Sequence, residues 1–159
     1  MRRNCEKKVA GTIKFGAKID VTDPCYNRDV WCRLNDLEIV PGEYTCIAYI
    51  KDTGNWGRRV ATAGIYLNGK MPKASEMECC EDIGVDAGLA GFFDHKPDFT
   101  DEQWGRFCHL VDDYPSVVLE DSDFFRGFVT SSGYGDGGYP LYVARNENGG
   151  ICACELRFL

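Results

Sequence analysis

The chain has 159 residues, of which 44% are hydrophobic, and a formal net charge of −7. This length and apolar content predict one domain, residues 1–159, with its own core, and exclude a globally disordered chain. No apolar run approaches the roughly 20 residues that span a bilayer. The basic start, residues 1–8, leads into no apolar signal segment, so we expect a flexible N-terminus and a cytoplasmic protein without membrane contact.

Charge is distributed unevenly along the chain. The segment from Glu76 to Asp123 contains fourteen acidic side chains and two basic ones, Lys96 and Arg106. An acidic middle third disfavours nucleic-acid binding through that segment. It would suit a basic partner or a divalent cation, and it would equally serve as a solvated face that keeps the protein soluble.

Nine cysteines raise the question of disulfides or zinc. Their odd number and the lack of a signal segment disfavour a disulfide framework. No Cys-x-x-Cys pair occurs, and alternation along a strand would place Cys152 and Cys154 on one face, which suits burial as well as ligation. We therefore expect free cysteines, at positions 5, 25, 32, 46, 79, 80, 108, 152 and 154.

The first half of the chain predicts strands separated by turns. Residues 9–21 have the composition of one strand with glycine interruptions, and an Asp-Pro pair then indicates a turn over 22–26. Residues 27–37 fit either a short helix or an irregular excursion. Beyond them, 43–51 and 58–67 predict a β-hairpin, whose loop contains two glycines and a tryptophan.

The middle of the chain predicts a loop over 70–80, a glycine-containing strand over 83–93, and one helix over about 100–113. The helix begins with a capping-box pattern, Thr100-Asp101-Glu102-Gln103. An apolar stripe follows at helical spacing, formed by Trp104, Phe107, Cys108 and Val111.

The last third predicts three further strands, over 124–130, 139–145 and 150–158. Their short connections favour antiparallel neighbours, because a tight turn reverses the chain beside itself. The predicted fold class is therefore α+β, mainly β: an antiparallel sheet or sandwich with one packed amphipathic helix.

The most distinctive segment joins the first two of these strands. Its sequence is Ser132-Gly133-Tyr134-Gly135-Asp136-Gly137-Gly138-Tyr139-Pro140. So many glycines indicate positive φ angles or a close approach of the backbone to another group. We take this loop as the first place to look for a binding site.

Three short elements occur in order along the chain: Asp23-Pro24-Cys25-Tyr26, Val85-Asp86-Ala87-Gly88 and Gly135-Asp136-Gly137-Gly138-Tyr139-Pro140. In them the chain resembles a bacterial domain-of-unknown-function family of small β-rich proteins with Asp-Pro-x-Tyr, Asp-Ala-Gly and Gly-Asp-Gly-x-Tyr-Pro elements. The likeness covers roughly residues 11–158. It implies a fold and a site location, and it implies no activity.

The three elements supply candidate site residues. Asp23, Asp86 and Asp136 each adjoin a turn, and if they converge they would perturb one another or recruit Mg²⁺ or Ca²⁺. Aspartates before proline or glycine also accept backbone hydrogen bonds in turns, which would make them structural. No cofactor is predicted otherwise.

Aromatic side chains accompany these acids. Tyr26, Tyr134 and Tyr139 could wall a ligand site or cover the end of a sandwich. In the hairpin loop, Trp56 with Arg58 and Arg59 is typical of interaction surfaces, although such a tryptophan can also fold back onto its sheet.

Two functions remain open. The first is a binding or interaction module that recognises a small polar ligand or a partner protein through the Gly/Tyr-rich loop. The alternative is a metal-assisted hydrolase with clustered aspartates. The sequence lacks a nucleophile elbow and a recognisable base, which favours the non-enzymatic function.

Overall fold

The computed structural model describes residues 4–159, which form eleven strands, one α-helix and two short 3₁₀ helices. The helix is α1 (Asp101–Leu110) and the 3₁₀ helices are Gly54–Trp56 and Ala74–Glu76. The strands are β1 (Cys5–Phe15), β2 (Lys18–Thr22), β3 (Leu34–Glu38), β4 (Gly42–Asp52), β5 (Arg58–Leu67), β6 (Glu78–Val85), β7 (Leu89–His95), β8 (Val117–Asp121), β9 (Arg126–Ser131), β10 (Gly137–Arg145) and β11 (Ile151–Arg157).

The strands form two antiparallel sheets, which confirms the mainly β prediction. One sheet has the order β1-β4-β5-β11-β10-β6, and the other has the order β3-β2-β7-β9-β8. The hairpins β4–β5 and β10–β11 join neighbours in the first sheet, as the sequence predicted.

Alternating side chains build the core between the sheets. Along β4, Tyr44, Cys46 and Ala48 point into this core, while Ile47 and Tyr49 join a smaller cluster on the opposite face. This alternation follows from the two-residue repeat of a strand. A strand that is apolar on both faces therefore belongs to a sheet covered on both faces.

Helix α1 covers the outer face of the five-stranded sheet. Thr100 forms the predicted capping box with Gln103, and Phe107 is fully buried against Phe93 and Phe125. The helix ends at Leu110, three residues earlier than predicted. No helix of residues 4–159 is long and apolar enough to cross a membrane.

Two segments predicted as single strands each form two strands in different sheets. Residues 9–21 divide at Gly16, whose amide donates to the Asp94 carboxylate and so marks the corner between β1 and β2. Residues 83–93 divide at Gly88, whose φ of 70° makes the turn from β6 to β7. Alternation continues on both sides of each corner, so the strand pattern alone concealed the breaks.

Other boundaries also differ from the predictions. Residues 5–8, expected to be flexible, form the start of β1 and pair with β4, whereas residues 1–3 of that predicted terminus lie outside the described residues. The predicted loop 70–80 contains a 3₁₀ helix and the start of β6. Strands β3 and β8 were not predicted; both are short edge strands.

The glycine-rich loop does not form the predicted hairpin between adjacent strands. Strand β9 lies in the five-stranded sheet and β10 in the six-stranded sheet, so the loop crosses from one sheet to the other. The turn from β6 to β7 crosses at the same end, and the Ser132 amide donates to the Gly88 carbonyl over 3.0 Å. Two crossovers therefore meet at one end of the sandwich.

Candidate functional site

Asp23 lies directly after β2 and is completely buried at this end of the sandwich. Its Oδ1 accepts a hydrogen bond from the Cys25 amide over 2.8 Å. Its Oδ2 accepts from the amides of Asp86 and Ala87, over 2.8 and 2.6 Å. One carboxylate thus ties the end of β2 to the turn between β6 and β7. This burial assigns Asp23 a structural role and places it away from any ligand-accessible surface.

Asp86 and Asp136 occupy neighbouring positions. Val85 pairs with Gly137 at the ends of β6 and β10, so the two aspartates are the next residues beyond that pair. Both are exposed. The three elements therefore meet at one end of the sandwich, with the Asp23 carboxylate buried and the other two aspartates exposed.

The arrangement does not make a metal site of the three aspartates. Within residues 4–159, no group of three or more His, Cys, Asp or Glu side chains is placed to hold a metal ion. The Asp23 carboxylate already accepts three backbone N–H groups, which leaves it poorly suited to bind Mg²⁺ or Ca²⁺ through the same oxygens.

Tyr139 fastens the glycine-rich loop to the sheet. Its hydroxyl contacts the carbonyls of Gly135 and Ser132, at 2.6 and 3.2 Å, and its ring packs edge-on against Phe158. The Ser132 hydroxyl also donates to the Gly135 carbonyl. Burial, followed by the charge of Asp136, raises the pKa of Tyr139. These contacts hold the glycine-rich loop in place, so Tyr139 has a structural role on the inner side of the loop.

Tyr26 ends the turn predicted over 22–26, where its amide donates to the Asp23 carbonyl. It leads into the segment over 27–37 that the sequence left open between a short helix and an irregular excursion; residues 27–33 form an irregular excursion, and the rest belongs to β3. This excursion packs on β6, where the Gly84 amide donates to the Cys32 carbonyl. Burial raises the pKa of Tyr26, with a further contribution from a hydrogen bond with Cys32. The Tyr26 carbonyl accepts from the buried guanidinium of Arg33.

Burial shifts two other ionisable groups beside the excursion. It raises the pKa of Cys25 to about 12, with the Asp23 charge as the next cause. It lowers the pKa of Lys96 to about 8, and the charge of Arg33 acts in the same direction. The Cys25 thiol is thus protonated at neutral pH and unsuited to act as a nucleophile.

Two exposed tyrosine rings face Arg59 at the edge of the glycine-rich loop, and an exposed tryptophan ring packs against one of them. The guanidinium carbon of Arg59 lies 5.2 Å from the ring centre of Tyr114 and 5.3 Å from that of Tyr134. The ring of Trp56 stands edge-on to Tyr134, with 6.4 Å between centres. We call Trp56, Arg59, Tyr114 and Tyr134 the arginine–aromatic cluster.

Hydrogen bonds fix the guanidinium of the cluster. Arg59 Nε donates to the Trp56 carbonyl, and its Nη1 donates to the Tyr114 hydroxyl and the Gly133 carbonyl. The rings nevertheless remain open to solvent: 68% of Trp56 and 56% each of Tyr114 and Tyr134 are exposed. Arg58 is separate, because it is bonded to Glu6.

A cleft of about 320 Å³ adjoins the cluster. Arg59 and Tyr114 form part of its lining, together with Gly88, Gly135 and Asp112, which lies just beyond the end of α1. A larger cleft of about 510 Å³ lies on the outer face of the six-stranded sheet, and it contains none of the predicted site residues.

The structure therefore divides the candidates suggested by the sequence. It brings Trp56 of the hairpin loop and Arg59 of β5 together with Tyr134 of the glycine-rich loop, and it separates Arg58 from them. Sequence reasoning missed Tyr114, whose only local signal was a Tyr-Pro pair after the helix. It also missed Trp31, which is 93% exposed on the excursion.

Comparison of the chain with protein-family models, curated proteins and solved structures found no significant match. The resemblance to a bacterial β-rich family thus stays a prediction. The functional argument depends on the geometry of the arginine–aromatic cluster and its cleft.

Proposed function

We propose that this protein is a non-enzymatic binding module that recognises a small polar ligand at the arginine–aromatic cluster. The observation that carries the proposal is one fixed guanidinium with two exposed tyrosine rings against it and an exposed tryptophan ring beside them. Exposed aromatic side chains beside an arginine are enriched at binding sites, because they offer a large contact area and a polar group together.

Preorganisation supports the same conclusion. Backbone and tyrosine hydrogen bonds already hold the glycine-rich loop, and Arg59 is already bonded through Nε and Nη1. A ligand would therefore meet a site whose side chains need little ordering, which reduces the entropic cost of binding. The adjoining cleft offers a volume suited to a small molecule.

The alternative of a metal-assisted hydrolase has less support. Its proposed ligand Asp23 is buried and bonded to three amides. Asp86 and Asp136 alone would be a weak oxygen site, since Ca²⁺ usually takes six to eight oxygen ligands. A metal site would thus require Asp23 to leave its three amides, whereas ligand binding at the arginine–aromatic cluster requires no such change.

The test is a fragment screen on ¹⁵N-labelled protein by two-dimensional NMR. Fragments that bind should shift the Trp56 indole N–H and the amides of Gly88 and Gly133, and should leave the Trp31 indole unshifted. Trp56→Ala should weaken the hits. Trp31→Ala removes another exposed tryptophan, which lies outside the cluster, and is the matched control.

Hits that map to the outer-face cleft, or that bind Trp56→Ala as well as the parent protein, would contradict the proposal. If no fragment binds and only a macromolecular partner does, the ligand is a protein and not a small molecule. In each of these outcomes, the residues whose signals shift identify the binding surface.

A further inference from the structure

Arg59 retains an unused pair of donors. Its Nε and Nη1 groups are bonded within the protein, whereas Nη2 makes no hydrogen bond to any of residues 4–159. A guanidinium presents its N–H groups in a rigid planar fork. Nη2 therefore holds two oriented N–H groups for which residues 4–159 supply no acceptor.

Arg59 also lacks a carboxylate partner in the described part of the chain. Six other arginines, at positions 28, 33, 58, 126, 145 and 157, are paired with Asp or Glu there. Arg59 is instead packed between tyrosine rings. Its positive charge is thus left for a ligand, and a charge-assisted bond to an anion is about twice as strong as a neutral one.

The surroundings limit which anion fits. The rings of Trp56, Tyr114 and Tyr134 favour a flat apolar body next to the anionic group. Asp112 also lines the cleft, and its negative charge disfavours a doubly charged group such as a phosphate monoester. A carboxylate satisfies both conditions, since it carries a single charge and an oxygen of it can accept a charge-assisted hydrogen bond from Nη2.

We propose that the recognised ligand is an aromatic carboxylate, whose carboxylate accepts from Arg59 Nη2 while its ring packs against the aromatic side chains of the cluster. This inference rests on the proposed function of the same site. It adds the chemical class of the ligand, and it can fail while that function stands.

The test compares three probes that share a phenyl ring and differ in its polar group, by NMR titration of the labelled protein: benzoate, benzamide and phenyl phosphate. We expect benzoate to shift the Trp56 indole and the Gly133 amide at about 10 mM, where a ligand with a Kd of about 1 mM occupies most sites. Benzamide and phenyl phosphate should bind more weakly, and added salt should weaken benzoate binding.

Variants locate the contact. Arg59→Gln should weaken benzoate binding by about tenfold or more, because a charge-assisted bond is lost. Arg58→Gln removes the neighbouring charge outside the cluster and should leave the affinity unchanged. Arg59→Lys keeps the charge but loses the rigid guanidinium whose Nε and Nη1 bonds orient Nη2, and it should bind benzoate several-fold more weakly. If Arg59→Gln fails to fold, the benzoate affinity of Arg59→Lys is the test of this contact.

Three outcomes would overturn the inference. If benzamide binds at the cluster as tightly as benzoate, the carboxylate is not the recognised group, and the proposed binding function still stands. If the benzoate affinity of Arg59→Gln is unchanged, Arg59 does not bind the carboxylate. The same holds for Arg59→Lys if that variant alone folds. Benzoate that shifts nothing at the cluster would overturn the ligand class, and if the fragment screen is also silent there, the proposed function fails with it.

Discussion

At the scale of single residues, the clearest lesson concerns Asp23. The sequence left two roles open for this aspartate before proline, a metal ligand or a structural acceptor of backbone hydrogen bonds. Its carboxylate accepts from three backbone amides in two separate segments, which is the structural role. A buried donor without an acceptor costs about 1–3 kcal/mol, so this one side chain stabilises the junction that supports the site.

We predict that Asp23→Asn destabilises the fold by about 2–3 kcal/mol. An asparagine oriented to keep the bond from Cys25 would direct its NH₂ group at the amides of Asp86 and Ala87, which are donors themselves. Urea unfolding would measure the loss. Asp86→Asn, at the exposed carboxylate nearby, is the control and should change stability by less than about 0.5 kcal/mol; equal effects would contradict this account.

At the scale of elements, the connection from β9 to β10 explains the density of glycine. The loop must leave one sheet, turn, and enter the other while Tyr139 holds its inner side. Gly133, Gly135 and Gly137 all have positive φ angles, of 57°, 117° and 155°. The glycines therefore serve the crossover first, and the exposed Tyr134 is presented as a result.

The structure distinguishes two adjacent glycines that the sequence treats alike. Gly137 has a φ of 155°, whereas a Cβ on Gly138 would meet only the Ile83 carbonyl at an ordinary 3.9 Å. We expect Gly137→Ala to destabilise the fold by about 1–3 kcal/mol. Gly138→Ala should be neutral or stabilise it by up to about 1 kcal/mol. Thermal unfolding of both variants would check this. A lower stability in Gly138→Ala alone would show that Gly138, and not Gly137, is the position that requires glycine.

At the scale of the whole molecule, the free cysteines report how the sandwich opens. Cys46 and Cys154 lie in the core between the sheets, whereas Cys79 is exposed on the edge strand β6. Burial raises the pKa of Cys46 to about 12, and it raises the pKa of Cys154 as well. Both core thiols are therefore protonated and shielded in the folded protein.

We predict that iodoacetamide at neutral pH labels Cys79 in the folded protein and spares Cys46 and Cys154. The two core cysteines should become reactive together as urea unfolds the protein, because they share one core. Peptide mass spectrometry would measure each site. Labelling of either core cysteine at the rate of Cys79 without urea would show that the sheets separate locally.

Much of the fold was predictable because its signals are local. The capping box at Thr100 lies within four residues, and the hairpins β4–β5 and β10–β11 are set by turn residues between alternating strands. The corners at Gly16 and Gly88 were not predictable in this way. Alternation continues through each corner, and the pattern contains no information on which sheet a strand joins.

The sequence by itself determined the strand-rich class, the single capped helix and the position of the glycine-rich loop, since backbone preferences and side-chain repeats act over a few residues. Only the tertiary structure decided that Asp23 is buried and that Arg59 meets Tyr114 and the glycine-rich loop, 55 and 74 residues away. Contacts of that range depend on which strands bury their faces together. That choice is made by the packing of the whole sandwich.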